Sequence, residues 1–246
     1  MMHKRLNLRL GERLTSFAQF LKQWFRYRWE AFLLIGLGFY LPLTIFVLLA
    51  VQIWRLEGGL GWDVVILNAI YQTHRPALDT FATAVTNLGT IWGVLPASIA
   101  ISLGLLYVKR WRSLTYFFIT AFGEILINRG AKLWFHRVRP ALWDRPPVAE
   151  FSFPSGHAMS SMVFIAALLI LTWKTRWRNW VLLFGSIFVI TIGWTRLYLG
   201  VHYPSDILAG WMMAIAWAVS MRSVIKPQLS RSVARDEAIV LEEAEK

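Results

Sequence analysis

The sequence predicts an all-α, polytopic membrane protein: six transmembrane helices, with short interfacial helices between the first and second. Three observations point there. The 246 residues are 57% hydrophobic, above the ~45–50% usual for soluble domains. The excess lies in long uncharged runs. Lys and Arg cluster between those runs and bring the formal net charge to +12. That distribution suits membrane orientation and an anionic ligand, not the single basic patch of a nucleic-acid binder. The chain has no cysteine, which excludes disulfides and thiolate metal sites.

Residues 1–30 are basic and polar-aromatic. Leu10, Leu14, Phe17, Leu21 and Trp24 recur at helical spacing beside Lys22, Arg26 and Arg28. This reads as an amphipathic cytoplasmic segment on an anionic membrane face. A cleaved signal peptide is not expected, because no short apolar core with a small-residue cleavage site follows the N-terminus. Phe32 to Trp54 is free of charge and long enough to span a core of about 30 Å. Pro42 should bend it.

Residues 55–90 are mixed. Leu78, Phe81, Ala82, Val85 and Leu88 share one helical face, with Thr80, Thr83, Thr86 and Asn87 off it. One or two interfacial helices are expected here. Ile91 to Val108 is the second span, with Lys109, Arg110 and Arg112 after it. Leu114 to Trp134 is the third and carries Glu124, Asn128 and Arg129. Polar groups at membrane depth face protein or water. Glu124 and Asn128, one turn apart, read as packing glue. A polar loop over 135–153 leads to Ala158–Trp173, Trp180–Trp194 and Ile207–Met221. These last runs fall at or below the ~17-residue lower limit for a span. They suffice if each helix starts among the headgroups. The membrane domain is therefore 31–222, followed by a cytoplasmic tail over 223–246.

The positive-inside rule orients these spans. The N-terminal segment, Lys109–Arg112, Lys174–Arg178 and Arg222–Arg235 fall on one side, expected to be the cytoplasm. Lys132, Arg137, Arg139, Arg145 and Arg196 fall on the other, against the rule. An anionic ligand would explain why they stay there. The fourteen tryptophans mostly flank spans, as interfacial belts do.

Three polar clusters lie on that outer side. Pro154-Ser155-Gly156-His157 opens a helix, where unpaired amides and the macrodipole favour an anion. Gly156 would let a phosphate approach the backbone, and Ser155 adds a hydroxyl. Lys132 and Arg139 offer a point charge and a planar fork for phosphate oxygens. His202 and Asp206 lie four apart around a helix start. A carboxylate on one ring nitrogen leaves the other free as a nucleophile. Taken singly, each cluster also fits an ordinary cap or a snorkelling cation. A zinc site on His157 and His202 lacks a third ligand. His3, His74 and His136 suit structural or solvated roles, and Arg137 and Arg145 could widen a basic mouth for a diphosphate.

Together, Lys132-x6-Arg139-Pro140, Pro154-Ser155-Gly156-His157 and Arg196-x5-His202-x3-Asp206 resemble the signature of the type 2 phosphatidic acid phosphatases, the lipid phosphate phosphatases. The motifs cover about a third of the chain, and the six-span outline resembles the family's integral-membrane branch. Thr195 stands where the family usually has Ser. Vanadium-dependent haloperoxidases share the signature but are soluble proteins.

The resemblance implies a metal-independent, cofactor-free membrane phosphatase. It would hydrolyse a lipid phosphate monoester or diphosphate at the extracytoplasmic face of the inner membrane, with both termini cytoplasmic. His202 would attack phosphorus, Asp206 would orient it, and His157 would act as acid and then base. Lys132, Arg139, Ser155, Gly156 and Arg196 would bind the phosphate. The surrounding cations should depress the proton affinity of both histidines. A lipid phosphotransferase or a non-catalytic lipid phosphate carrier is the alternative. Phosphatidic acid, phosphatidylglycerophosphate and polyprenyl diphosphate all stay open as substrates.

Overall fold

The computed structural model describes residues 22, 26, 28–29, 32–55, 59–140 and 150–228. The proposed N-terminal amphipathic stripe (Leu10 to Trp24), His3, Arg145 and most of the 223–246 tail lie outside them. Among the described residues every regular element is helical. Helix α1 is Phe32–Arg55. It contains a π-helical turn, Gly36–Tyr40, just before Pro42. Proline has no N–H and crowds the carbonyl four residues back, here that of Gly38, which lies in the widened turn.

Two eleven-residue helices follow, α2 (Gly61–Tyr71) and α3 (Pro76–Thr86). A 3-10 turn, Asn87–Gly89, leads into α4 (Val94–Tyr107). Then come α5 (Trp111–Phe135), α6 (Gly156–Thr172), α7 (Arg178–Tyr198) and α8 (Pro204–Ile225).

Four stretches are long and apolar enough to cross a membrane: Phe32–Arg55, Pro76–Tyr107, Arg178–Tyr198 and Pro204–Ile225. Helices α3 and α4 together make up the second of these. Helix α6 is shorter, at 17 residues, and α5 carries buried Glu124 and Asn128. The chain is a multi-pass membrane protein.

The packing is that of a membrane bundle. Helix α6 is central, sharing a core with α5 and α8 through Tyr116, Phe117, Met159, Val163, Ala167, Ala214 and Ala218. Small residues on α8 let the backbones approach closely, which is how helices associate where lipid is as apolar as leucine. Large apolar side chains point outward instead, such as Leu182, Leu183, Phe184, Ile187 and Ile190 on α7. Exposed tryptophans mark two belts. Trp54, Trp62, Trp92 and Trp134 sit at one end of the bundle, and Trp111, Trp173, Trp177 and Trp180 at the other, as at two membrane interfaces.

The two ends differ in charge. The second belt's end carries Lys109, Arg110, Arg112, Lys174, Arg176, Arg178, Arg222 and Lys226. There the Arg112 guanidinium donates to the Ile225 carbonyl at 3.2–3.3 Å. The first belt's end gathers the end of α5 and the starts of α6 and α8, with α1 beside them through Trp54 stacked on Trp134, ring centres 6.0 Å apart. The polar clusters lie at this end.

Asn128 fixes one of those clusters. Its amide donates to the buried Pro154 carbonyl at 3.2 Å, bridging α5 to the turn that opens α6. The packing role expected of Asn128 is thus specific. Asn128→Ala leaves that carbonyl unsatisfied and should cost about 1–3 kcal/mol. Thermal unfolding in detergent measures it, with Asn128→Leu behaving alike.

Candidate active site

Each site residue is placed by a local device. Helix α5 ends at His136, whose left-handed backbone (φ 48°) bonds N–H to the Lys132 carbonyl at 3.1 Å. The chain then runs on extended. Residues two apart on an extended segment share a side, so Arg137 and Arg139 both turn inward while Val138 is exposed.

Helix α7 carries Arg196 in its last turn and stops before Gly200 (φ 66°), a left-handed position that glycine fills without strain. Helix α8 begins with Pro204 at its first position, which suits a group that lacks an N–H. Asp206 caps it by accepting the Tyr203 N–H at 2.9 Å. Ser155 caps α6, its hydroxyl oxygen accepting the Ala158 N–H at 3.5 Å. A Cβ at Gly156 would meet Asn128 Oδ1 at 3.2 Å, so that face of Gly156 is already filled by protein.

These devices bring the predicted residues together. His202 is buried, with Nδ1 3.3 Å from Asp206 Oδ2 and Nε2 3.3 Å from Arg139 Nη1. A guanidinium only donates, and a carboxylate only accepts. With Asp206 ionised, these two partners fit a ring that donates from Nδ1 and offers its Nε2 lone pair toward Arg139, and the Ser152 backbone also hydrogen-bonds the ring. The same guanidinium donates to the Val201 carbonyl at 2.9 Å and, through Nε, to the Glu150 carbonyl at 2.8 Å.

His157 Nε2 lies 3.4 Å from the Thr90 hydroxyl. Arg196, His202, Lys132 and Arg139 all act on His157 electrostatically. Arg196 donates to the Thr86 hydroxyl at 2.8 Å, and its buried Nε has no partner among the described residues. A buried, unsatisfied N–H is costly, and a bound oxyanion would satisfy it. Burial first, then Arg196, Arg139 and Lys132, pushes the proton affinity of His202 well below that of ordinary histidine. The sequence reading credited cations alone, yet burial is the larger cause. Thr195 stays out of the site, because its hydroxyl donates to the Ile192 carbonyl at 2.7 Å.

Three groups depart from the sequence reading. Arg137 does not widen a mouth. It is buried at 4% exposure and bridges Asp206 and Asp63 behind His202. Thr86, expected off the packed face of α3, is buried against Arg196. Asp63 was not singled out, although an acid at the third position of a helix is a recognisable cap. It accepts the Leu60 N–H at 3.1 Å.

Of the structural and solvated roles left open for His74, the structure shows pairing with Asp79 at 3.0 Å and stacking on Tyr198. Among the described residues, no three His, Asp or Glu side chains gather as metal ligands would.

Glu150 was also unforeseen. Its exposed carboxylate lies 3.2 Å from Lys132 Nζ and 3.5 Å from Arg139 Nη2. The hydrogen bond and charge of Lys132 hold its carboxyl below the usual range. An incoming anion competes with it for both cations. Glu150→Gln should lower KM for an anionic substrate about two- to fivefold, the scale of an exposed ion pair. A carboxylate of depressed proton affinity keeps its pairing above the ordinary carboxylate range and loses it as pH falls through its own, lower value. Initial rates should therefore converge for variant and wild type in acid.

Comparison with known proteins shows the family. The PAP2 superfamily model matches residues 112–229, which contain all three clusters. Phosphatidylglycerophosphatase B of Bacillus subtilis is 31% identical over 160 residues, 62% of this chain and 78% of that protein. The chain belongs to the PAP2 superfamily. An undecaprenyl-diphosphatase of Sulfolobus acidocaldarius is 28% identical over 196 residues, 76% of this chain and 89% of that one.

The crystal structure of a transmembrane PAP2-type phosphatidylglycerolphosphate phosphatase from Bacillus subtilis matches with TM-score 0.66 at 25% identity. It covers 77% of this chain and 98% of its own. LpxE of Aquifex aeolicus shares the fold, with TM-score 0.54 at 21% identity over 67% of this chain and 96% of its own. In this PAP2 chain the matched region supplies every predicted site residue, and α2 and α3 add Asp63 and Thr86 from outside it.

Proposed function

We propose that this PAP2 protein is a lipid phosphate phosphatase that hydrolyses a monoester or diphosphate through a phosphohistidine on His202, without a metal. The observation that carries this reading is the line Asp206–His202–Arg139. It pairs a neutral imidazole, its tautomer set from both sides, with a phosphate-binding fork at its free nitrogen.

The Nε2 lone pair attacks phosphorus, and the bond to the leaving oxygen breaks: the lipid oxygen of a monoester, or the bridging oxygen of a diphosphate. His157 gives that oxygen a proton. Water then attacks phosphorus, the P–N bond breaks, and His157 takes the water proton. Asp206 keeps the Nδ1–H and balances the charge that His202 gains on phosphorylation. Lys132, Arg139 and Arg196, with Ser155 and the Gly156 and His157 amides, hold the oxygens. Phosphoryl transfer depends mainly on alignment and charge stabilisation, which these groups supply.

An apolar cleft of about 490 Å³ supports a lipid substrate. It runs between α4, α6 and α7 and is lined by Leu88, Gly93, Phe164, Ile165 and Phe184. Leu88 and Gly93 lie within three residues of Thr90, the neighbour of His157, so the cleft approaches the site at that end. The six helices α1 and α4–α8 cross the cytoplasmic membrane in this reading. Basic loops and termini lie in the cytoplasm, and the site faces outward.

The purified protein should release phosphate from phosphatidic acid, phosphatidylglycerophosphate or undecaprenyl diphosphate with EDTA present, and His202→Ala should not. Activity lost to EDTA and restored by zinc would refute the metal-free reaction. Because the chain lacks cysteine, sidedness is directly testable. A membrane-impermeant maleimide should label Val138→Cys in intact cells and spare Arg110→Cys.

A further inference from the structure

Behind His202 lies a buried polar network that the phosphatase reading leaves unused. Asp63, on α2, is fully buried and accepts four hydrogen bonds. They come from the Leu60 N–H (3.1 Å), the Ser205 N–H (2.8 Å), the Ser205 hydroxyl (2.6 Å) and Arg137 Nη2 (2.9 Å). Arg137 Nη1 donates to the Ser205 hydroxyl at 2.7 Å and to Asp206 Oδ1. The guanidinium also lies 4.2 Å over the Tyr203 ring. Asp206 Oδ2 is left for His202 and the Tyr203 N–H. One guanidinium thus joins two buried carboxylates, and one of them is the partner of the imidazole.

We propose that Arg137, anchored by Asp63 and Ser205, is a positioning residue that keeps Asp206 an oriented anion, so that His202 presents its Nε2 lone pair. The proposal rests on His202 being the nucleophile. A carboxylate out of water needs a counter-charge to stay ionised. The charged and titratable groups around Asp206 are Arg137 from the loop after α5, Arg139 further along it, and His202 and Tyr203 from the loop before α8. Asp63 lies beyond Arg137. Ser152 adds a hydrogen bond, and α6 offers only the Ser155 N–H, to the Asp206 backbone carbonyl.

Arg137 is the cation in direct contact with Asp206. Without it, Asp206 takes a proton and becomes a donor toward Nδ1. The ring proton then moves to Nε2, where it blocks attack. Asp63 stops the guanidinium from swinging away, which links the position of α2 to the tautomer of His202.

The test compares Arg137→Gln, Arg137→Lys and Asp63→Asn with wild type by kcat and KM across pH, in full-length protein in detergent. Arg137→Gln should lower kcat at neutral pH about 10²-fold, the scale of a misplaced catalytic group, with KM within about threefold. The acid limb of its kcat profile should move up by about one pH unit or more, the effect of losing an adjacent opposite charge. Activity should partly recover in alkali. Arg137→Lys keeps the charge and should restore most of the pH profile but not all of kcat. Asp63→Asn should shift the same limb less.

A loss equal at every pH would overturn the proposal and leave Arg137 a purely structural brace. So would a profile that Arg137→Lys fails to restore. If Arg137→Gln does not fold, as judged by size-exclusion monodispersity, the other two variants decide: an unmoved acid limb in both overturns it. A separate trial for acid-labile phosphohistidine on His202 in wild type distinguishes the failures. No phosphohistidine refutes the phosphatase mechanism, and with it the proposal. Phosphohistidine with unmoved limbs refutes this inference alone.

Discussion

His202→Ala should lower turnover of any lipid phosphate by roughly 10⁴-fold or more, the scale seen when a covalent nucleophile is removed. Binding should survive, because Lys132, Arg139 and Arg196 are anchored independently of the imidazole by Glu150, the Val201 carbonyl and Thr86. His157→Ala should lose nearly as much on natural lipids, but for a different reason: the leaving alkoxide goes unprotonated.

A substrate with a good leaving group, such as p-nitrophenyl phosphate, removes that need in the first step and not in the second. His157→Ala should then show a burst of one nitrophenolate per enzyme and accumulate acid-labile phosphate on His202. His202→Ala should show neither. A burst in both variants, or label on another residue, would reassign the nucleophile. Rapid-quench kinetics with phosphorus-32 label reads both.

Arg196→Lys should lower kcat/KM by about 10²–10³-fold, on the scale of losing one aligned donor to a transition-state oxyanion. The charge is conserved, so the loss measures geometry. Arg196 spends Nη1 on Thr86 and keeps a buried Nε without a partner. An ammonium has no fork with which to meet both demands. Thr86→Val should lower kcat/KM as well, by about tenfold or less, since it frees the guanidinium without removing it. Equal activity in Arg196→Lys and wild type would show that Arg196 supplies only charge.

The residues legible in the sequence were those whose chemistry is announced within a few positions. Pro154 to His157 opens a helix, Pro204 starts another, and His202 sits four before Asp206. Such spacings survive folding because a helix start is a local event. Asp63, Thr86, Thr90, Arg137 and Glu150 were missed for the opposite reason. Asp63 meets Ser205 across 142 positions and Thr86 meets Arg196 across 110. Arg137 was grouped with Arg145 as a basic mouth, because nothing near it in sequence announces the buried carboxylates Asp63 and Asp206 that it meets. The all-helical class was legible from apolar runs. The break between α3 and α4 was legible too, since the sequence separates interfacial helices within 55–90 from a span starting at Ile91, and the helices end at Thr86 and resume at Val94.

That break has a consequence for how such a protein can diversify. The predicted site residues all follow residue 111, whereas one wall of the apolar cleft, Leu88 to Ala97, precedes it and the other, Phe164 to Phe188, does not. On the proposed reading, substitutions at Val94 and Ala97 should reshape the seat of a lipid tail and leave the predicted phosphate-binding residues unchanged, whereas the facing wall shares its stretch of chain with them.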